Sequence, residues 1–175
     1  NVIMTSSEHI SGTDRICEAA AKLDLDEDTL ILNLQGDEPF IPSDLVTKVI
    51  NEYNKNQCDV ITVSTLIKSD NELTNQNCVL VETDMNGYAT NFVRTGNIED
   101  PKRHIGIYGY SFKTLNELVK LKPTKSELSL KLEQLRFLEN NYSIYVSEYD
   151  EQIPNGIDTQ EDVENALNFL KNENL

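Results

Sequence analysis

Leu30-Ile31-Leu32-Asn33-Leu34-Gln35-Gly36-Asp37-Glu38-Pro39 is an apolar run that stops in a turn carrying two carboxylates. A short apolar run bounded by Gly and Pro reads as a buried strand of a parallel sheet. Open α/β sheets bind ligands beyond the carboxyl ends of such strands. Gly36 allows a sharp turn or close approach to a ligand, Pro39 ends the ladder, and Asp37 stands at the rim as a hard oxygen donor suited to magnesium. Acidic residues are also common in turns after strands, so the rest of the chain must decide between a ligand site and a solvated turn.

Working outward, Ile16, Ala20 and Leu23 recur at helical spacing, which predicts a helix starting at Thr13 or Asp14. Residues 29 to 35 are the strand. Leu45, Val46, Val49, Ile50 and Tyr53 mark a second helix opened by Pro42-Ser43, and alternation through Ile61, Val63, Thr65 and Ile67 marks another strand. Asn86-Gly87 between two alternating runs signals a hairpin, read as the one antiparallel part. A loop over 95 to 103, a strand from His104 to Tyr110, helices near 112–121 and 126–140, a strand from Ser143 to Ser147 and a helix from Thr159 to Leu170 complete the chain. Strands alternating with helices imply a three-layer α/β sandwich with a mostly parallel, Rossmann-like sheet, in one domain over 1–175.

A chain of 175 residues with 38% apolar and 26% charged side chains can bury a real core. Thirty acidic against 15 basic side chains give a formal charge of −15, which excludes general attraction to nucleic acids or anionic membranes. Cys17, Cys58 and Cys78, odd in number and set in apolar patterns, read as reduced thiols of a cytoplasmic protein. No apolar run approaches the ~20 residues that span a bilayer.

Further blocks accompany the first: Met4-Thr5-Ser6 with His9-Ile10-Ser11-Gly12-Thr13-Asp14-Arg15 upstream, then Arg103-His104-Ile105-Gly106-Ile107-Tyr108, Leu132-Glu133-Gln134-Leu135-Arg136 and Gly156-Ile157-Asp158-Thr159-Gln160-Glu161-Asp162 downstream. In this order they resemble the bacterial 3-deoxy-manno-octulosonate cytidylyltransferases, or CMP-Kdo synthetases, over nearly the whole chain. That family opens with a strand and a loop of the form Arg-x-x-Ser-x-Arg-Leu-Pro-Gly-Lys-Pro-Leu, which wraps the triphosphate of CTP. No such loop occurs here and the chain starts at Asn1, so by the resemblance the N-terminal βα units are expected to be missing and the 175 residues alone to be inactive.

The resemblance implies Mg²⁺-dependent transfer of CMP from CTP to the acidic sugar Kdo for lipopolysaccharide synthesis, by a cytoplasmic homodimer. It assigns Asp37 and Asp158 to a shared magnesium ion. Read from the residues alone, Asp158 is equally a helix N-cap, with Glu161 or Asp162 closing a capping box. Ser11, Gly12, Thr13 and Arg15 open a helix and are implied on the CTP side, though Ser11 or Thr13 also serves as an ordinary cap. Gln35 offers donors and acceptors to a sugar hydroxyl or base edge. By their position in the resemblance, Arg103 is implied to supply a bidentate fork and His104 a second donor for the sugar carboxylate, where a solvated arginine at a strand start and an ordinary strand histidine are the plainer account. Glu133 and Gln134 are implied in the sugar pocket, the same helix face being open to a dimer interface as well, and a solvated pair is the plainer account. The stretches Phe92–Lys102 and Thr124–Leu128 depart from the family pattern on the sugar side. Alternatives are therefore a cytidylyltransferase for another acidic sugar, such as 8-amino-Kdo or a nonulosonic acid, or a non-catalytic module that binds a sugar acid.

Overall fold

The computed structural model describes residues 2–9, 11–67, 69–95, 98–151, 153–154, 156–157 and 159–172. Helix α1 (Gly12–Ala21) begins after Ser11, whose Oγ accepts the Asp14 N–H at 3.2 Å. There follow β1 (Leu30–Leu34), α2 (Ser43–Lys55), β2 (Val60–Thr65), α3 (Asp70–Thr74), β3 (Leu80–Thr83), β4 (Ala89–Val93), β5 (Lys102–Ser111), α4 (Phe112–Leu118), α5 (Lys125–Leu130), α6 (Gln134–Glu139), β6 (Ile144–Tyr149) and α7 (Gln160–Asn172). Helix α3 was not expected from the sequence, and the loop after β4 ends earlier than its pattern suggests, at Lys102.

The strand order is β4-β3-β5-β2-β6, with β1 also paired to β5. Strands β1, β2, β3 and β6 point one way and β4 and β5 the other, so the expected majority direction holds. The pairing differs. Strand β5 lies in the middle and runs antiparallel to β1, β2 and β3, leaving β2–β6 as the parallel pair among the described strands. The hairpin is therefore not the only antiparallel part, because alternation marks a strand without naming its neighbour. The hairpin itself forms at the expected turn: Gly87 takes φ 83°, and Asp84 Oδ1 accepts from the Asn86 and Tyr88 amides, each at 2.9 Å.

Helices cover both faces, giving the three layers. On one face Ala20 of α1, Leu115 and Leu118 of α4, and Leu135 and Phe137 of α6 pack on Val60, Tyr110, Ile144 and Val146. On the other, Leu45 and Val49 of α2 pack on Ile61, Val63, Ile105, Ile107 and Tyr149. Each large apolar side chain buried this way contributes about 1.5–3 kcal/mol.

The single helix expected over 126–140 is two. Thr124 and Glu127 close a capping box that starts α5, which stops at Lys131 in the left-handed conformation, φ 55° and ψ 47°. The break accounts for the apolar pattern that covered both sides of one long helix: Leu128 is 67% exposed, while Leu132, Leu135 and Phe137 are buried. Cys17, Cys58 and Cys78 are free thiols, and burial pushes Cys58 and Cys78 up to about 11, so both stay protonated at neutral pH. Among the described residues no helix is long and apolar enough to cross a membrane.

Candidate active site

Strand β5 is ten residues long and receives two strands end to end on one edge. Leu80 and Val81 of β3 pair with Arg103 and Lys102, whereas β1 pairs from Leu34 with Ile107 to Leu30 with Ser111. The His104 amide still reaches the Val79 carbonyl at 2.8 Å. Between them, at Ile105 and Gly106, the edge is left open. A cleft of ≈ 340 Å³ fills this gap, at the carboxyl end of β1.

The turn after β1 forms its floor. Gly36 and Asp37 are the central residues of that turn, which the Glu38 N–H closes on the Gln35 carbonyl at 3.2 Å, and Gly36 leaves open space where a side chain would be. Asp37 is exposed in the cleft, and its carbonyl accepts the Ile157 N–H at 2.8 Å. This bond holds the turn against the segment that leads into α7. Asp158 follows Ile157 in sequence and lies outside the described residues. The cap it was weighed for is made by Thr159: its Oγ1 accepts the Asp162 N–H at 3.2 Å, and Asp162 Oδ2 accepts the Thr159 N–H at 2.8 Å. A Cβ on Gly106 would stand 3.3 Å from the Gln35 amide, so the glycine lets Gln35 lie over β5.

Arg103 and His104 also line the cleft, both buried. Arg103 Nη2 donates to the Ile153 carbonyl at 2.5 Å, and its Nε is 3.3 Å from Thr65 Oγ1. His104 makes its hydrogen bond within the sheet, as an ordinary strand histidine does. Its Nε2 lies 2.8 Å from Thr62 Oγ1, and that hydroxyl is 2.7 Å from the Ile107 carbonyl, which can only accept. Thr62 therefore donates to Ile107 and accepts from His104 Nε2–H, an assignment that leaves Nδ1 as a bare acceptor. Burial between Phe92 and Tyr108 lowers the imidazole to about 3, so it has no second N–H at neutral pH.

The sign of that shift gives a stability prediction. The unfolded chain binds a proton at His104 below about pH 6.5, whereas the folded chain resists it down to about 3, so stability is complete above the upper value and falls as the pH drops through this window. Urea unfolding of wild type and His104→Asn between pH 6 and pH 4 should differ in slope by about 1.4 kcal/mol per pH unit, the wild type being steeper. Equal slopes would mean that the ring is solvated.

Glu133 and Gln134 also line the cleft, Gln134 being buried. Glu133 Oε2 accepts from Thr13 Oγ1 at 2.8 Å and its Oε1 from Arg136 Nη2 at 2.8 Å. Thr13 thus sits one hydrogen bond behind the wall, while Ser11, Gly12 and Arg15 are not among the residues that form it. Ser11 caps α1, Gly12 is exposed, and Arg15 Nη1 donates to Thr5 Oγ1 at 2.8 Å and to the Ser6 carbonyl at 3.0 Å. Sequence reasoning missed Arg94, Lys131 and Cys78 in the same walls. Arg94 follows the hairpin directly, which was the signal available for it; Lys131 had none, because its place depends on the break between α5 and α6.

The cleft sets the carboxylates of Asp37, Glu38, Glu133 and Asp162 among the cations Arg94, Arg103 and Lys131. Mg²⁺ is commonly held by one or two carboxylates and completed by substrate phosphates. The exposed, hard oxygens of Asp37 fit that use, although among the described residues no group of three or more His, Cys, Asp or Glu side chains could hold a metal unaided.

A Cytidylyltransferase family model matches residues 1–144. The 3-deoxy-manno-octulosonate cytidylyltransferase of Thermodesulfovibrio yellowstonii is 42% identical over 189 residues, covering 96% of this chain and 72% of that protein. That of Polynucleobacter asymbioticus is 38% identical over 181 residues, covering 97% and 71%. Among solved structures, a CMP:2-keto-3-deoxy-manno-octonic acid synthetase complexed with CTP superposes with a TM-score of 0.87 at 28% identity, covering 98% of this chain and 72% of that one. A putative glucose-1-phosphate thymidylyltransferase from Bacillus anthracis, at a TM-score of 0.65 and 11% identity, shares the fold. Fold, cleft and matches define a nucleotidyltransferase. More narrowly, the chain belongs to the 3-deoxy-manno-octulosonate cytidylyltransferase family.

Proposed function

We propose that this protein transfers CMP from CTP to Kdo, giving CMP-Kdo and pyrophosphate for lipopolysaccharide assembly, with Mg²⁺ as cofactor, in the cytoplasm and as a homodimer. The observation that carries the reading is the cleft itself, which brings an exposed carboxylate at the carboxyl end of β1 together with the cations Arg94, Arg103 and Lys131. A triphosphate and an acidic sugar are both anions, and a chain of formal charge −15 can bring them together only through such a local arrangement.

The sugar's anomeric oxygen attacks the α-phosphorus, the bond to the pyrophosphate oxygen breaks, and the hydroxyl proton is lost; the barrier is mainly one of positioning and charge. Asp37, with Asp158, would hold the Mg²⁺, which when bound neutralises and orients the phosphates. Gln35, over Gly106, presents an amide to a hydroxyl or base edge. Arg103, anchored on Ile153, holds positive charge toward the sugar acid. Glu133, fixed by Thr13 and Arg136, keeps lone pairs for sugar hydroxyls, and Gln134 adds an amide beside it. His104 ties β5 to β2 through Thr62 and packs on the ring of Tyr108 from within the sheet.

Pyrophosphate release measured on the full-length gene product with CTP, Kdo and Mg²⁺ tests the reading, and turnover should vanish when EDTA removes the metal. A panel with 8-amino-Kdo and nonulosonic acids belongs in the same experiment. Arg94, which lies in the Phe92–Lys102 stretch where the chain departs from the family pattern, lines the cleft, so turnover of one of these in preference to Kdo would move the assignment to that sugar. Release with none of them would leave a sugar-acid binding module.

A further inference from the structure

The three cations of the cleft are not in the same condition. Arg94 directs Nε at the Leu130 carbonyl (3.0 Å), Nη1 at Gln76 (3.0 Å) and Nη2 at Lys131 (3.4 Å). Arg103 is buried and anchored on Ile153 and Thr65. Lys131 is exposed in the cleft wall, and among the described residues its ammonium has no ion pair or hydrogen bond.

Its backbone, in contrast, is firmly placed. A lysine at φ 55° is uncommon and persists only where surrounding structure over-determines it. Here Arg94 gathers the carbonyls on both sides of the Lys131 Cα and joins them to the Gln76 carbonyl, between the cleft residues Asn75 and Asn77. The Leu132 amide turns back to the Glu127 carbonyl at 3.3 Å, closing α5 behind it. The ammonium is therefore launched from a fixed point, with its charge available.

Resting on the acidic-sugar reading above, we propose that Lys131 is a specificity-determining residue that pairs with the carboxylate of the sugar acid, the left-handed turn clamped by Arg94 being what aims it. A carboxylate entering this cleft meets Asp37, Glu38, Glu133 and Asp162, and a cation must offset them. Arg94 and Arg103 already donate to protein carbonyls, whereas Lys131 brings three N–H donors and a compact charge. A neutral sugar would gain nothing from it.

The test compares Lys131→Met, which keeps the length and the cost of the left-handed backbone, with Lys131→Arg, which keeps the charge, on the full-length protein. Thermal unfolding of all three proteins serves as the control for folding. Loss of one charge-assisted bond should raise the apparent KM for Kdo in Lys131→Met by about tenfold or more, with that for CTP changed less than about twofold and Lys131→Arg close to wild type. Calorimetric titration with Kdo and with its methyl ester supplies a readout independent of turnover: wild type should prefer the acid, and Lys131→Met should not discriminate. A wild-type KM for Kdo in Lys131→Met, equal rises for sugar and nucleotide, or an unchanged ratio of acid to ester would overturn the assignment. If wild type turns over neither Kdo nor the other sugar acids with CTP, the functional reading fails first and this inference falls with it, a result distinguishable from the failure of Lys131 alone.

Discussion

Replacing Asp37 by Asn is expected to lower kcat for CMP transfer by on the order of 10³-fold, with thermal unfolding unchanged. The two halves of that expectation rest on different facts. The side chain is exposed in the cleft, and among the described residues its carboxylate has no partner, so Asn in its place removes nothing from the fold. What holds the turn is the backbone bond from Ile157 N–H to the Asp37 carbonyl, and Asn keeps it. The negative charge is lost, and with it a ligand for Mg²⁺ in the proposed mechanism. Glu38 sits next to it with an oxygen only 3.4 Å from where a Cβ on Gly156 would stand, so it is turned toward that segment. Steady-state pyrophosphate release together with Mn²⁺ titration of wild type and variant checks the argument. Near-normal turnover, or unaltered metal affinity, would place the metal elsewhere.

The sequence was informative where chemistry is local. The apolar run from Leu30 to Leu34, the Asn86-Gly87 turn and the alternation of β2 each reflect a property of a few adjacent residues, and each element stands close to where its pattern puts it. Strand direction survived for β1, β2 and β3, where α2 and α3 return the chain to the same end of the sheet, but not for β5, which α4 to α6 join to the oppositely directed β6. What failed was non-local. Nothing in Arg103-His104-Ile105-Gly106-Ile107-Tyr108 says that this strand will lie between β2 on one side and both β1 and β3 on the other, yet the cleft exists only because of that arrangement. The split between α5 and α6 was hidden for another reason. A helix end is usually announced by Gly or Asn, and here a lysine adopts the left-handed position.

The candidate residues divide along the same line. Gln35, Asp37, Arg103, His104, Glu133 and Gln134 come together around one cleft although they arise from three distant parts of the chain. The Ser11 to Arg15 block does not enter it directly and connects through Thr13 to Glu133. Chemical type alone does not choose between His104 as a ligand donor and as an ordinary strand histidine, since a histidine in a strand donates or accepts according to its neighbours, and here Thr62 takes the one N–H of a neutral ring. Lys131 and Arg94 escaped because their relation to the cleft is made by a backbone clamp, which leaves no mark in the order of residue types.

That clamp has a counterpart on the inner side of α6, and it should be the most sensitive polar point of the fold. Arg136 is buried, with Nη2 at 2.8 Å from Glu133 Oε1 and 3.2 Å from Glu127 Oε1, while Nη1 donates to the Leu121 carbonyl at 3.2 Å. Glu127 uses its other oxygen to accept the Thr124 N–H at 3.1 Å, so the guanidinium ties the capping box of α5 to the cleft carboxylate of α6. The Nε is buried with no acceptor among the described residues, a cost that the other contacts offset. Arg136→Met would fill most of the volume yet strand two carboxylates beside each other, one 12% and the other 27% exposed, with no cation between them. Removing one partner of a buried ionic group typically costs ~3–5 kcal/mol, and the partial exposure of Glu133 puts the expectation at about 3 kcal/mol, or roughly 6–12 °C in Tm for a domain of this size. Adding Glu133→Gln to Arg136→Met should return about 1 kcal/mol of it, since the repulsion is then relieved. Urea unfolding of the two single variants and the double variant measures this. A loss below about 1 kcal/mol in Arg136→Met would mean that water screens the fork, and that Glu133 owes its position to Thr13 alone.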